Sequence, residues 1–227
     1  MKIIIAYNNT AIHGLISGWG FSCLIEDNSK KILFDTGCEG LGLLYNIKKL
    51  GYKVEDINII VISHQHWDHI GGLFDILNLN SKLEVFVLKS FSKNLKKEIG
   101  KRAKLREVEN EQKITENIYT TGLIKNNPDE QSLILKTTKG IMVIVGCSHP
   151  GINKILEIAK RYGKVFGIIG GFHNFSDFDV LNDIKIVGAC HCTQYINEIK
   201  KKFPDQFKEI KAGDVINERS LYFTNQN

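Results

Sequence analysis

No stretch of this 227-residue chain reaches the roughly 18 consecutive apolar residues that a membrane-spanning helix needs. A membrane protein is therefore not expected. The five cysteines, Cys23, Cys38, Cys147, Cys190 and Cys192, are odd in number and none of their spacings is C-x-x-C. That argues against a secreted disulfide framework and for reduced thiols. The chain also lacks internal repeats, linkers and low-complexity segments. With 43% hydrophobic residues over this length, a single α/β domain spanning 1–227 is expected. The opening MKIIIAYNNTAIHG has one lysine, a short apolar run and no small-residue cleavage site, so it reads as a first strand rather than a signal peptide. A cytoplasmic location is the expectation.

Acidic residues are scarce in one place. Between Lys89 and Arg106 there are eight Lys or Arg and one acid, Glu98, within a chain of net charge +5. A solvated helix face is the first reading of this run; attraction of anionic substrates or RNA is the second.

Short apolar blocks fill the first half: 2–6, 21–25 and 31–34, with a hairpin-like turn at Glu26-Asp27-Asn28-Ser29. The spacing of Leu43, Leu44, Ile47 and Leu50 predicts a helix over 41–50, stopped by Gly51. A strand at 58–63, a helix at 71–79, a strand at 84–88 and a basic helix at 90–104 are expected next. From Ile118 the pattern restarts: IYTTG, SLILKT, IMVIVG, a helix at 151–163, VFGIIGG, a short helix around 176–182, DIKIVGA and a lysine-rich helix at 193–202. Two mixed sheets with helices outside would bury these runs.

The chemistry concentrates in SHQHWDHIGG, where His64, His66, Asp68 and His69 fall within six positions after the apolar run Ile59-Ile60-Val61-Ile62. His64 and His66, two apart in extended backbone, share a face suited to gripping one ion. Asp68 and His69 lie where the chain turns towards Gly71-Gly72 and a helix, placed for a second ion. A closed structural zinc site commonly uses thiolates; imidazoles plus a carboxylate suit an open, catalytic site better.

Three further histidines end apolar strands: His149 after IMVIVGCS, His173 after FGIIGGF and His191 after IVGAC. Convergence of such strand ends is how a sheet edge builds a cavity. His149 and His191 are candidate metal ligands; His173 is a candidate for substrate contact or proton transfer. His13 has no such setting and reads as a loop residue. In Cys190-His191-Cys192, strand alternation would put the histidine on one face and both cysteines on the other, so His191 is expected to face the site while the cysteines pack. Asp35, ending the strand before Thr36-Gly37, is a costly burial unless hydrogen-bonded, and is expected to hold the metal-binding loop from behind.

Together these residues resemble the metallo-β-lactamase superfamily, whose H-x-H-x-D-H signature is met by His64, His66, Asp68 and His69. ILFDTG at 32–37 resembles its early strand-and-turn motif. GCSHPGI at 146–152, GGFH at 170–173 and HCT at 191–193 resemble the 7,8-dihydropterin-6-yl-methyl-4-(β-D-ribofuranosyl)aminobenzene 5′-phosphate synthase-like branch. The resemblance implies a four-layer αββα sandwich of two mixed sheets flanked by helices. It implies two metal ions, one held by His64, His66 and a third histidine, the other by Asp68, His69 and a last histidine, roles that His149 and His191 fit. Many relatives also supply a G-H-T histidine and a bridging G-D aspartate. Here the comparable stretches are Thr120-Thr121-Gly122 and Gly146-Cys147, leaving either Cys147 or water alone to join the ions.

The activity so implied is hydrolysis at a phosphate or carboxylic ester of a small, anionic or phosphorylated substrate. Two cations roughly 3.5–4 Å apart would generate a bridging hydroxide, with Asp68 orienting it and His173 near the leaving group. Zinc is the first choice of metal, with manganese or iron also compatible with an all-N/O set. The alternative is a transferase or synthase acting on a pterin and a phosphorylated ribosyl arene, with Trp19 and Phe21 either as an aromatic lid or as core anchors. A metal-dependent nuclease using 89–106 ranks below both.

Overall fold

The computed structural model describes residues 1–217 together with the backbone of a strand at 223–224. The chain divides into two compact units, the first formed by Met1–Glu109 with Lys211–Asn227, the second by Asn110–Ile210.

The first unit is built on β1 (Lys2–Tyr7), β2 (Ser22–Asp27), β3 (Lys30–Phe34), β4 (Ile59–Val61), β5 (Glu84–Leu88) and β6 (Lys104–Val108), joined late in the chain by β13 (Val215–Asn217) and β14 (Phe223–Thr224). Among the described residues their order is β14-β13-β1-β2-β3-β4-β5-β6. The β3, β4, β5 and β6 neighbours run parallel and the rest antiparallel, so the sheet is mixed. Every residue of β4 is buried, as a parallel strand covered on both faces requires. The β2–β3 hairpin turns at Asn28, whose φ of 53° is the left-handed conformation asparagine accepts readily. Helix α1 (Gly40–Lys49) is capped by the Glu39 carboxylate on the Gly42 amide, buries Leu43 and Ile47, and ends at Gly51 with φ 84°. That matches the spacing argument.

The second unit carries β7 (Gln112–Lys113), β8 (Ile118–Thr120), β9 (Leu133–Thr137), β10 (Gly140–Val145), β11 (Val165–Gly171) and β12 (Ile186–Cys190). Their order is β12-β11-β10-β9-β8-β7, with β10, β11 and β12 parallel. Helix α5 (Ile152–Lys160) crosses from β10 to β11 and buries Ile152, Ile155, Leu156 and Ala159 against Val143, Val145 and Ile168. Its i, i+3, i+4, i+7 spacing puts these side chains on one stripe. Helix α6 (Ile196–Lys202) adds Ile199 to the same core.

Several expectations need correction. The basic stretch is not one helix over 90–104: α4 (Lys93–Gly100) stops, and β6 follows from Lys104. Its charged residues, Lys104, Arg106 and Glu107, are exposed on an edge strand, where charge discourages further pairing. The basic run is also largely answered by Glu98 and by three acids outside the counted window, Glu84, Glu107 and Glu109. Lys89 pairs with Glu109, Lys96 with Glu107, Lys101 and Arg102 with Glu98, and Lys104 and Arg106 with Glu84. Hydrogen bonds from Lys101 and then Arg102 hold the Glu98 carboxyl down at about 2. The expected helix at 71–79 is α3 (Leu73–Leu79), preceded by an unforeseen short helix α2 (Trp67–Ile70), and that around 176–182 is a 3₁₀ turn at Phe178–Leu181. Strands β7 and β13, two and three residues long, carry too little pattern to be foreseen.

Candidate metal centre

In the first unit, β4 delivers the chain to Ser63, and the backbone from Ser63 to His66 is irregular before α2 begins. Asp35, fully buried with φ 58°, organises this mouth. Its Oδ1 accepts the Ser63 amide at 2.7 Å, and its Oδ2 accepts the Ser63 hydroxyl at 2.7 Å and lies 2.7 Å from His69 Nδ1. Ser63 Oγ in turn stands 2.9 Å from His64 Nδ1. Two imidazoles are thus held by their Nδ1 atoms, which leaves Nε2 as the atom each offers a ligand. His64 Nε2 lies 3.1 Å from His66 Nδ1, and His69 Nε2 lies 3.8 Å from Asp68 Oδ2. The His64 ring centroid is 4.6 Å from that of His66 and 4.2 Å from that of His69. The four signature side chains therefore converge.

The local backbone explains the convergence. Thr36 donates both its amide and its hydroxyl to the His69 carbonyl, and the Gly71 amide reaches the Gly37 carbonyl, so the 35–37 turn and α2 are laced together. A Cβ on Gly71 would lie 2.0 Å from the Cys38 carbonyl oxygen, a contact no side chain can make. Behind the carboxylate, Cys23 is fully buried; loss of solvent, and then the Asp35 charge, push its thiol well above the usual range. Phe21 is a fully buried core anchor, whereas Trp19 is half exposed, so the pair does not act together as a lid. His13 is exposed in a turn, as expected of a loop residue.

In the second unit, three strand ends turn through left-handed residues: Ser148 after β10 (φ 60°), His173 after β11 (φ 44°) and His191 after β12 (φ 50°). A fully buried carboxylate again organises the first turn. Glu130 accepts the Cys147 and Ser148 amides on Oε1, both at 2.9 Å, and the His149 amide on Oε2 at 2.8 Å. The rings of His149 and His173 lie 4.8 Å apart between centroids, so these two histidines share one place.

Around His191 the outcome differs from strand alternation. The left-handed residue breaks the two-residue period, and one ligand atom each of Cys147, His191 and Cys192 lies within 4.8 Å of the others. Cys190 packs as expected, but Cys192 does not turn away. Two contributors were not singled out from the sequence, Ser63 and Glu130, while Cys192 was expected to pack away from the site. Glu130 shows only as an acid just ahead of the apolar run Leu133-Ile134-Leu135.

A family model described as the metallo-beta-lactamase superfamily matches residues 20–146, and the chain belongs to that superfamily. It is 30% identical, over 87% of its own length and 89% of the relative's, to a Methanocaldococcus jannaschii protein named 7,8-dihydropterin-6-methyl-4-(beta-D-ribofuranosyl)-aminobenzene-5'-phosphate synthase. Among solved structures it resembles Tm1679, described as a metal-dependent hydrolase of the beta-lactamase superfamily. That likeness has a TM-score of 0.77 and 28% identity, covering 96% of this chain and 98% of the other. The human short-form tRNase Z, at 17% identity, shares the fold alone, with a TM-score of 0.61 over 96% of this chain and 99% of that one. Two mixed sheets with attendant helices are thus the metallo-β-lactamase fold. No helix among the described residues is long and apolar enough to cross a membrane.

Proposed function

We propose that the chain, as one domain over 1–227, is a dinuclear-metal-dependent hydrolase of phosphate or carboxylic ester bonds in a small anionic substrate. The observation that carries this reading is the buttressed signature: His64 and His69 are each held at Nδ1, by Ser63 and Asp35, with Nε2 left for a metal. Neutral imidazole nitrogen and carboxylate oxygen fit a divalent ion, zinc first, and hydrogen bonding of the far ring nitrogen is the usual partner of such ligation. His64, His66 and His149 would hold one ion; Asp68, His69 and His191 the other. Bound there, the metal pair would supply Lewis acidity and a water-derived nucleophile near neutral pH.

The protein's own groups do the rest. Asp68, nearly buried beside His69, holds and orients the attacking water's proton. His173, its ring tilted against that of His149, stands as the proton donor to the leaving group. Asp35 and Glu130 touch no substrate; they fix the imidazoles and the 147–149 turn before substrate arrives.

A second reading, bond formation on a phosphorylated ribosyl arene, is favoured by the named synthase relative that the chain matches over most of its length. Both readings share the metal set. The test is metal content and turnover of wild type and His66→Ala, assayed in parallel on a phosphoester panel and on a pterin with a phosphorylated ribosyl arene. Wild type is expected to hold about two metals per chain, and the variant to stay folded with at least a 100-fold loss of turnover. Full activity in His66→Ala would overturn the metal mechanism, and the substrate turned over decides between the readings.

A further inference from the structure

Strand β11 finishes in Gly170-Gly171, and the second glycine makes room for sulfur. A Cβ at Gly171 would lie 2.6 Å from Cys192 Sγ and 2.6 Å from the Gly146 carbonyl oxygen. The space a side chain would fill is occupied by the Cys192 thiol.

The thiol is brought there by a fixed turn. The Thr193 amide and hydroxyl both donate to the Cys190 carbonyl, at 3.1 and 2.7 Å, and the Phe172 amide donates to Thr193 Oγ1 at 3.0 Å. Residues 190–193 are thus tied to the end of β11. His191, at φ 50°, reverses the side-chain alternation between Cys190 and Cys192. Cys192 Sγ lies 3.9 Å from the Cys147 carbonyl oxygen, and the ligand atoms of Cys147, His191 and Cys192 all fall within 4.8 Å of one another. Metal–sulfur bonds of about 2.3 Å put two thiolates on a tetrahedral ion roughly 3.8 Å apart. No disulfide joins the cysteines.

We propose that Cys192 is a thiolate metal ligand, acting with Cys147 and His191 on one divalent ion. The inference rests on the reading above only for the role of His191. It changes the chemistry of that ion from all nitrogen and oxygen to a mixed sulfur set, which selects zinc or iron over manganese. It also explains why position 171 carries no side chain.

The test is zinc K-edge absorption on zinc-loaded wild type and Cys192→Ser, with zinc content measured on the same samples. Wild type is expected to show a sulfur shell near 2.3 Å beside nitrogen near 2.0 Å, and Cys192→Ser to lose about half the sulfur amplitude. A wild-type spectrum with zinc present but no sulfur shell overturns the proposal and leaves the dinuclear reading standing. So does a sulfur shell that Cys192→Ser does not reduce, since Cys147 alone would then supply it. Wild type that retains no zinc overturns both, and its zinc content reveals this before any spectrum is compared. Should Cys192→Ser fail to fold, the wild-type shell scaled by the measured zinc content still decides: two sulfurs per chain support the proposal, and one or none per chain overturns it.

Discussion

The two units solve the same problem with opposite materials. In the first, four donors sit within six consecutive residues and a single carboxylate, Asp35, steers two of them, His69 directly and His64 through Ser63. In the second, the candidate donors come from three separate strand ends, and the carboxylate Glu130 grips backbone amides instead of imidazoles. The first arrangement fixes ring orientation; the second fixes a turn. Damage to Asp35 should therefore appear in metal affinity, and damage to Glu130 in local order.

The largest effect is expected from Asp35→Ala. It strips a fully buried acceptor from the Ser63 amide, the Ser63 hydroxyl and His69 Nδ1. Stability should fall by about 3 kcal/mol in denaturant titration, and metal affinity by about 10–100-fold. Metal retention at wild-type level would show that the imidazoles need no buttress. Glu130→Gln comes next. The amide keeps one carbonyl acceptor but places an NH₂ against an amide hydrogen, so one side of the grip becomes repulsive. A loss of about 1–2 kcal/mol is expected, with faster hydrogen exchange at residues 147–149 and first-unit amides unchanged. Equal acceleration in both units would break the comparison.

The smallest effect sharpens it through the thiols. Cys23 sits behind the first unit's carboxylate with its pKa raised by burial, so its folded-state value lies above the unfolded value of about 8.5. Its contribution to stability is complete below that pH and is lost as pH rises further. At pH 8, iodoacetamide should modify the partly exposed Cys38 and Cys192 of the metal-free chain and leave Cys23 unmodified. Peptide mass mapping reads the result, and prompt labelling of Cys23 would contradict its burial.

How much was legible beforehand follows the same division. The signature cluster and its parent strand could be read because sequence neighbours are spatial neighbours there; Asp35, 28 to 34 residues from Ser63 and His69, could be read because a carboxylate at the end of a buried strand demands hydrogen-bond partners. The alternation of strands and helices was likewise visible in apolar runs such as Ile141–Val145 and Val165–Gly171. Around Cys192 the sequence misled, because period-two reasoning assumes extended backbone and His191 is left-handed. Glu130 was invisible for a different reason: its partners are backbone amides 17 to 19 residues away, and any residue type supplies those. The charge of the 89–106 run was overestimated because Glu84 and Glu109 lie outside the counted window.

The pairing of β13 with β1 has a bearing on how the protein is made. Ile3 and Ile4 pair with Ile216 and Val215, and the Ile5 amide is met by the Asp214 carbonyl. A nascent chain emits β1 well before β13, and the whole second unit, Asn110–Ile210, passes through the ribosome in between. At roughly 5–20 residues per second, the stretch from Tyr7 to Val215 keeps that strand edge waiting about 10–40 seconds for its neighbour. During that interval the second unit can complete its own sheet, because all its strands lie within one continuous segment. The first unit, by contrast, closes only when synthesis of the 211–217 segment is done. A chain released before Val215 would therefore hold a complete second unit and an open-edged first, an exposed template for strand addition by another chain.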